Sequence, residues 1–212
     1  MKSKKETQEI IHLLKKEYPN SKGSLHFDTP FQLLVAVCLS AQCTDDRVNM
    51  VTKDLFKVAS TPSDFDKLDL KKLEELIHSC GFYKNKAKNL KAAAKKIIDD
   101  FDGEVPNDMD KLVTIPGVGR KSANVIMLDA FNNPQGIAVD THVGRLSTRI
   151  GFSKEKEPTK IEQDLLKQIP KEEYYMVNHT FIDHGRLICK SQKPKCDLCK
   201  IKHLCNYEKK VK

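Results

Sequence analysis

"LVTIPGVGRKSANVI" (Leu112–Ile126) sets a proline, two glycines, an arginine and a lysine between two apolar runs. Leu112, Val113 and Ile115 close one helical run, and Pro116 halts it. Gly117 and Gly119 follow, and glycine tolerates backbone conformations with positive φ that other residues resist. Beyond them Ala123, Ile126 and Ala130 recur at helical spacing, so the chain is expected to turn straight back into a second helix. The stretch reads as a tight helix-hairpin-helix. Amides exposed at a glycine turn and at the following helix start form an anion site that a nucleic-acid phosphate would fit. The plainer reading of the same residues is a helix-helix connection with a glycine cap.

Working outward, helical signals fill most of the chain. Apolar residues recur at helical spacing over 7–18. Pro30 suits a first helical position after the capping Thr29. Further helices are expected from about Asp45, Leu70, Lys84, Met109, Lys121, Thr141, Lys160 and Glu172. Only "GIAVD" (Gly136–Asp140) looks extended, and it is too short and solitary to make a sheet. The fold class is all-α. The run Asn132, Asn133, Pro134, Gln135, Gly136 is the best linker, so two helical lobes are expected.

A chain of 212 residues can bury a real core. Its 37 Lys and Arg against 29 Asp and Glu give a formal net charge of +8, which suits a polyanionic partner. The start, MKSKKETQEI, is too polar for a secretory signal. The most apolar segment, "FQLLVAVCLSA" (Phe31–Ala41), is about half the length a bilayer requires. A soluble, cytosolic protein with no membrane partner is expected. In "YKNKAKNLKAAAKKII", Lys84, Lys88, Lys91 and Lys95 form one stripe and Ala87, Leu90, Ala94 and Ile97 another. The lysine stripe could track a phosphate backbone, but a solvated face explains it more simply.

The cysteines divide into two groups. Cys38, Cys43 and Cys80 are scattered, and Cys38 fits an apolar run as a small buried hydrophobe. The other four, Cys189, Cys196, Cys199 and Cys205, form a C-x6-C-x2-C-x5-C pattern within 17 residues. Four thiolates this dense imply a metal centre, and both zinc and a four-iron cluster accept four sulfur ligands. Only one C-x-x-C knuckle is present, whereas zinc sites more often use two. Lys190, Lys193, Lys195, Lys200 and Lys202 decorate the loop and would offset the charge of a thiolate-ligated cluster.

"IPGVGRKSANV", "VDTHVGR" and the cysteine tail, with "LLVAVCLSAQCTD" early in the chain, together resemble the endonuclease III family. Its members are bifunctional DNA glycosylases and abasic-site lyases of base-excision repair. The resemblance covers nearly the whole chain. It implies a 4Fe-4S cluster on the four cysteines, in a loop spanning 189–205. It also implies a central helical barrel, 23–132, and a second lobe combining 1–22 with 133–212, with the DNA-reactive cleft between them. The partner implied is double-stranded DNA containing damaged pyrimidines or abasic sites, bound by a monomer.

By the same resemblance Lys121 is the reactive amine and Asp140 its acidic partner. A lysine amine can attack the sugar C1′, expel the damaged base, and leave an imine that acidifies the C2′ proton for β-elimination. Only a neutral amine can attack. Bringing an ordinary lysine from a pKa of about 10.4 to about 7 takes roughly 4 to 5 kcal/mol. A helix N-terminus supplies about 0.3 to 1 kcal/mol, and the repulsion from Arg120 is screened by solvent. Burial against a flipped-out nucleotide is therefore expected to complete the activation. Asp140 also reads as an N-cap before "THVGR", a role compatible with catalysis.

An enzyme that takes a base out of the stack must fill the gap. Motif position assigns Gln42 to the orphaned opposite base and Phe82 to the wedge, where the family often carries leucine. The alternatives are a buried amide and a core aromatic. Pro116, Gly117, Val118, Gly119 and Arg120 of the hairpin are expected to hold phosphate. Backbone carbonyls there would also hold a monovalent cation when DNA is bound. Ser40, Asp45 and His142 lie in matching motifs, and His142 also reads as a hydrogen-bonded core histidine. Two rivals share parts of the pattern: a mismatch glycosylase of the same superfamily, whose adenine-specific type usually lacks lysine at the position of Lys121, and an inert helix-hairpin-helix DNA-binding module.

Overall fold

The computed structural model describes residues 1–207, and no β-strand occurs among them. The first helix, α1 (Lys4–Glu17), begins at a capping box: the Ser3 hydroxyl accepts from the Glu6 amide, and the Glu6 carboxylate accepts from the Ser3 amide at 2.9 Å. It therefore starts before the apolar stripe at residue 7 on which periodicity relied. α2 (Pro30–Ser40) starts as expected, with the Thr29 hydroxyl accepting from the Gln32 amide at 3.2 Å. Every residue from Phe31 to Leu39 is buried, which marks α2 as the central helix of its unit.

Next come α3 (Asp45–Val58), α4 (Pro62–Lys67), α5 (Leu70–Leu76) and α6 (Tyr83–Phe101). No periodic signal predicts α4, because six residues are too few to show one. Thr61 and Asp64 close a capping box at its start, and Phe65, fully buried, anchors it edge-on against Phe31 at 5.2 Å. Burying one such side chain stabilises by about 1.5–3 kcal/mol. The hairpin segment supplies α7 (Met109–Leu112) and α8 (Arg120–Asp129). α2 packs on α3, α6 and α8, while α4 and α5 pack on α6.

The remaining helices are α9 (Thr141–Ile150), α10 (Pro158–Leu166) and α11 (Tyr174–Leu187). Short 3-10 turns precede α11 and recur at Cys196–Leu198 and Lys202–Leu204. Residues 137–139 belong to neither helix nor strand. They are buried, and the Ala138 amide donates to Asn178 Oδ1 of α11 at 2.8 Å.

The chain forms two compact units: Ser24–Asn133, holding α2 to α8, and Met1–Gly23 joined with the chain from Pro134 onward. Each has its own apolar core. In the second, α11 packs against both α1 and α9. Among the described residues no helix is long and apolar enough to cross a membrane.

The lysine stripe of α6 is not one solvated face. Lys84, Lys88 and Lys95 are exposed, and Lys95 pairs with Asp99 at 3.2 Å. Lys91 instead turns inward and donates to the carbonyls of Phe65 at 3.1 Å and Asp66 at 2.8 Å. It caps the carbonyl end of α4, a use that complements the helix dipole.

Candidate functional site

The hairpin is tighter than its sequence implies. α7 stops at Leu112, before Pro116, and the turn continues through Ile115, whose amide donates to Leu112 O at 3.1 Å. Gly117 has φ of 82°, and an added Cβ there would come within 3.3 Å of Asn89 Cβ on α6. Glycine is thus required twice over, by conformation and by the close approach of α6. Gly119 does not use that freedom: its φ is −88° in extended backbone, and nothing lies within 4 Å of an added Cβ. What Gly119 offers is an N-cap with no side chain to occupy the first amides of α8. The first amides of a helix have no intrahelical partner, and here they belong to a turn whose Arg120 and Lys121 are exposed. Val118 buries its side chain, and its amide donates to Ile115 O at 3.0 Å. Cys38 is buried as expected, its thiol pushed up to about 12 by that burial, and it lies 3.7 Å from Gly117 O beneath the hairpin.

In the same unit, Gln42 and Phe82 stand on adjoining turns. Both have left-handed backbone, with φ of 54° and 57°, an arrangement uncommon for residues other than glycine and recurrent at functional sites. Gln42 is exposed and Phe82 is 65% exposed, so neither is a buried amide nor a core aromatic. An added Cβ on Gly81 would sit 3.9 Å from Gln42 O, so the two turns lie side by side. Ser40 donates to Val37 O at 2.8 Å, and Asp45 accepts from the Ser24 hydroxyl.

In the other unit, Asp140 is the N-cap of α9. Its Oδ1 accepts from the amides of His142 at 2.8 Å and Val143 at 2.7 Å, while Oδ2 lies 3.2 Å from His142 Nδ1. The carboxylate and the imidazole are both partly exposed. Gly185 of α11 makes room for this pair: an added Cβ would meet His142 Cβ and Cδ2 at 3.0 Å. Gly185→Ala is therefore expected to destabilise by about 1–3 kcal/mol through overpacking and to loosen His142 from Asp140. Thermal unfolding checks this, and an unchanged Tm would show that α9 and α11 separate freely.

The four C-terminal cysteines line one largely apolar pocket with Ile188, Pro194, Lys202 and Tyr207. No disulfide joins the described residues. Nor do three or more His, Cys, Asp or Glu side chains among them close around a single ion. Burial pushes the Cys199 thiol up to about 11, so ligation there has to displace a proton.

Neighbouring side chains serve the sulfurs. His184 lies 2.9 Å from the Tyr18 hydroxyl through Nδ1 and 3.4 Å from Cys199 Sγ through Nε2. Burial pushes its imidazole down to about 4, so it is neutral at pH 7. A Tyr18 hydroxyl donating to Nδ1 leaves the Nε2 proton for the sulfur. Arg149 of α9 donates to Cys189 Sγ at 3.4 Å, Lys190 O at 2.7 Å and Ser191 O at 2.8 Å, and its guanidinium lies 4.4 Å over the Tyr207 ring. Arg145 donates to Cys189 O and Gly185 O, both at 3.0 Å. These partners were not legible in the sequence. Only the recurrence of Arg145 and Arg149 four residues apart on one helix face offered a signal. Lys190, Lys193, Lys195 and Lys200 are exposed, while Lys202 pairs with Asp197 at 2.8 Å.

Comparison with known proteins covers both units. Residues 35–171 match the family described as HhH-GPD superfamily base excision DNA repair protein. The chain is 50% identical over 206 residues to the endonuclease III of Synechocystis, spanning 97% of this chain and 94% of that one. It is 47% identical over 189 residues to the endonuclease III of Bacillus subtilis, spanning 89% and 86%. Among solved structures, a trapped endonuclease III-DNA covalent intermediate superposes with a TM-score of 0.93 at 45% identity, covering 100% of this chain and 99% of that one.

Proposed function

This chain belongs to the endonuclease III family, within the HhH-GPD superfamily of base excision DNA repair proteins, and from that premise we propose which of its residues carry the chemistry. It is a DNA N-glycosylase that removes oxidised pyrimidines from double-stranded DNA and then acts as an abasic-site lyase.

The nucleophile is Lys121. The observation that carries this assignment is its placement in the first turn of α8, exposed, directly after a glycine N-cap that leaves the helix amides open to phosphate. The amine attacks the sugar C1′ and displaces the base. The resulting imine acidifies the C2′ proton, and its loss breaks the C3′–O bond. Because Lys121 is exposed in the free protein, the desolvation that favours a neutral amine is supplied by the bound nucleotide.

Asp140 stabilises positive charge that develops on the sugar. Its Oδ1 is committed to two amides, which leaves Oδ2, beside His142, as the oxygen for that task. Asp140→Asn separates capping from catalysis. Asparagine caps as well as aspartate, so stability should hold while turnover falls about 10²-fold or more with the lost charge. Equal losses in Tm and turnover would reduce Asp140 to a cap.

Gln42 is assigned to the opposite base and Phe82 to the vacated stack. Their exposure, their left-handed backbone and the nearness of their turns support this. Arg120 and the hairpin backbone hold phosphate, with a monovalent cation joining them when DNA is bound.

The four cysteines are assigned a 4Fe-4S cluster. Four sulfurs around one pocket, without three that close on a single ion, suit a bulky cluster better than one zinc with sulfurs at about 2.3 Å. Held by the four cysteines, a cluster would give cohesion to a loop that otherwise has only short 3-10 turns. No step of the reaction requires electron transfer. The protein is placed with the DNA in the cytoplasm.

Incubation of the purified full chain with a duplex carrying one abasic site tests the function. Strand cleavage well above the buffer rate, with a covalent complex trapped by borohydride, is the expected result. Cleavage at the buffer rate would overturn it.

A further inference from the structure

α6 carries a lysine that neither the chemistry nor the phosphate contacts use. Lys86 is 8% exposed, yet it forms no ion pair with an acidic residue among the described bonds. Its Nζ donates instead to two backbone carbonyls, Leu39 O at 2.8 Å and Ala41 O at 2.7 Å. These belong to the last turn of α2 and its C-cap, the residues immediately before Gln42. Orphan carbonyls at a buried helix end are costly, and a cation there also complements the helix dipole.

The backbone of the same residue serves the other turn. The Lys86 amide donates to Phe82 O at 3.1 Å and closes the first turn of α6. Phe82 is the N-cap of that helix and has no side-chain cap of its own. One residue thus holds Ala41 through its side chain and Phe82 through its amide. The two left-handed residues, Gln42 and Phe82, are tied to a single anchor.

We propose that Lys86 is a positioning residue for DNA reading: it sets the register between the Gln42 and Phe82 turns, so that an opposite-base reader and a wedge engage one duplex together. The proposal rests on the assignment of Gln42 and Phe82 given above. Left-handed backbone at a non-glycine residue persists only where its surroundings over-determine it. Loss of the Lys86 bonds would let the Gln42 turn relax while leaving Lys121 and Asp140 untouched.

Lys91 provides a matched control. It lies on the same helix and donates to carbonyls in the same way, but it holds the end of α4 and neither of the two turns. The full-length protein should be titrated with duplexes carrying a non-cleavable tetrahydrofuran abasic analogue opposite each of the four bases. Tm should be measured alongside. Lys86→Met is expected to weaken binding about tenfold and to flatten the preference among opposite bases. Lys86→Arg should restore both, because the donor returns. Lys91→Met should lower Tm comparably and leave the preference unchanged.

Two results would overturn the inference. One is a Lys86→Met protein that binds and discriminates like the unsubstituted chain. The other is a loss that follows Tm identically in Lys86→Met and Lys91→Met. Gln42→Ala and Phe82→Ala separate the two levels of the argument. If both bind normally, the reading of those residues fails and the inference falls with it; if both are impaired while Lys86→Met is not, the inference alone fails.

Discussion

Lys121→Gln should cut an abasic duplex at the buffer rate and form no borohydride-trapped complex. The loss expected is at least roughly 10³-fold, equivalent to about 4 kcal/mol of transition-state stabilisation. Glutamine keeps the length and polarity of the side chain, so the hairpin beneath it has no reason to change. Gly117 still leaves room for Asn89, and the α8 N-cap still carries no side chain. Binding to a duplex should therefore stay within a few-fold of the original, with one cationic contact removed. The separation of affinity from cleavage is the informative part. A protein that lost both together would have lost its hairpin, and a trapped complex with Lys121→Gln would place the nucleophile elsewhere.

Loss of the cysteine ligands should produce the second large effect. Cys199→Ala is expected to yield protein without iron–sulfur absorbance and with a Tm lowered by roughly 10 °C or more, because ligand binding there is also folding free energy. The physical reason lies in how little else holds the segment. From Cys189 to Tyr207 it contains two 3-10 turns and one fully buried apolar side chain, Ile201. The bonds from Arg149, together with those from Lys2 to Leu204 O and Asn206 Oδ1, anchor the rim of the loop, and at its centre His184 reaches the sulfur of Cys199. Circular dichroism should change little, since the segment contributes almost no α-helix. A colourless variant with unchanged Tm and full DNA affinity would remove any structural role for the cluster.

The two predictions probe different units, and the features behind them are legible in the sequence to different degrees. The glycine hairpin, the Thr29 and Asp140 caps and the cysteine spacing could all be recognised along the chain. Each depends on groups a few residues apart, so the stereochemistry of a turn or a cap is written locally. The helical class followed for the same reason, from apolar repeats within single helices. Which of the two glycines uses a positive φ was not legible, because glycine permits that conformation without requiring it.

What the residues could not announce were partners chosen at long range. By periodicity Lys91 belongs with Lys84, Lys88 and Lys95 as a surface lysine, yet its amine meets the end of a helix more than 20 residues away. Lys86 reaches carbonyls 47 and 45 positions back in the chain. Phe82, by hydrophobicity a core residue, is turned outward by the left-handed cap it occupies. The Val118 side chain, within the hairpin turn, points inward to the core. Whether a side chain meets water, a carbonyl or an apolar neighbour depends on which helix ends packing brings beside it, and that juxtaposition exists only once the units have folded.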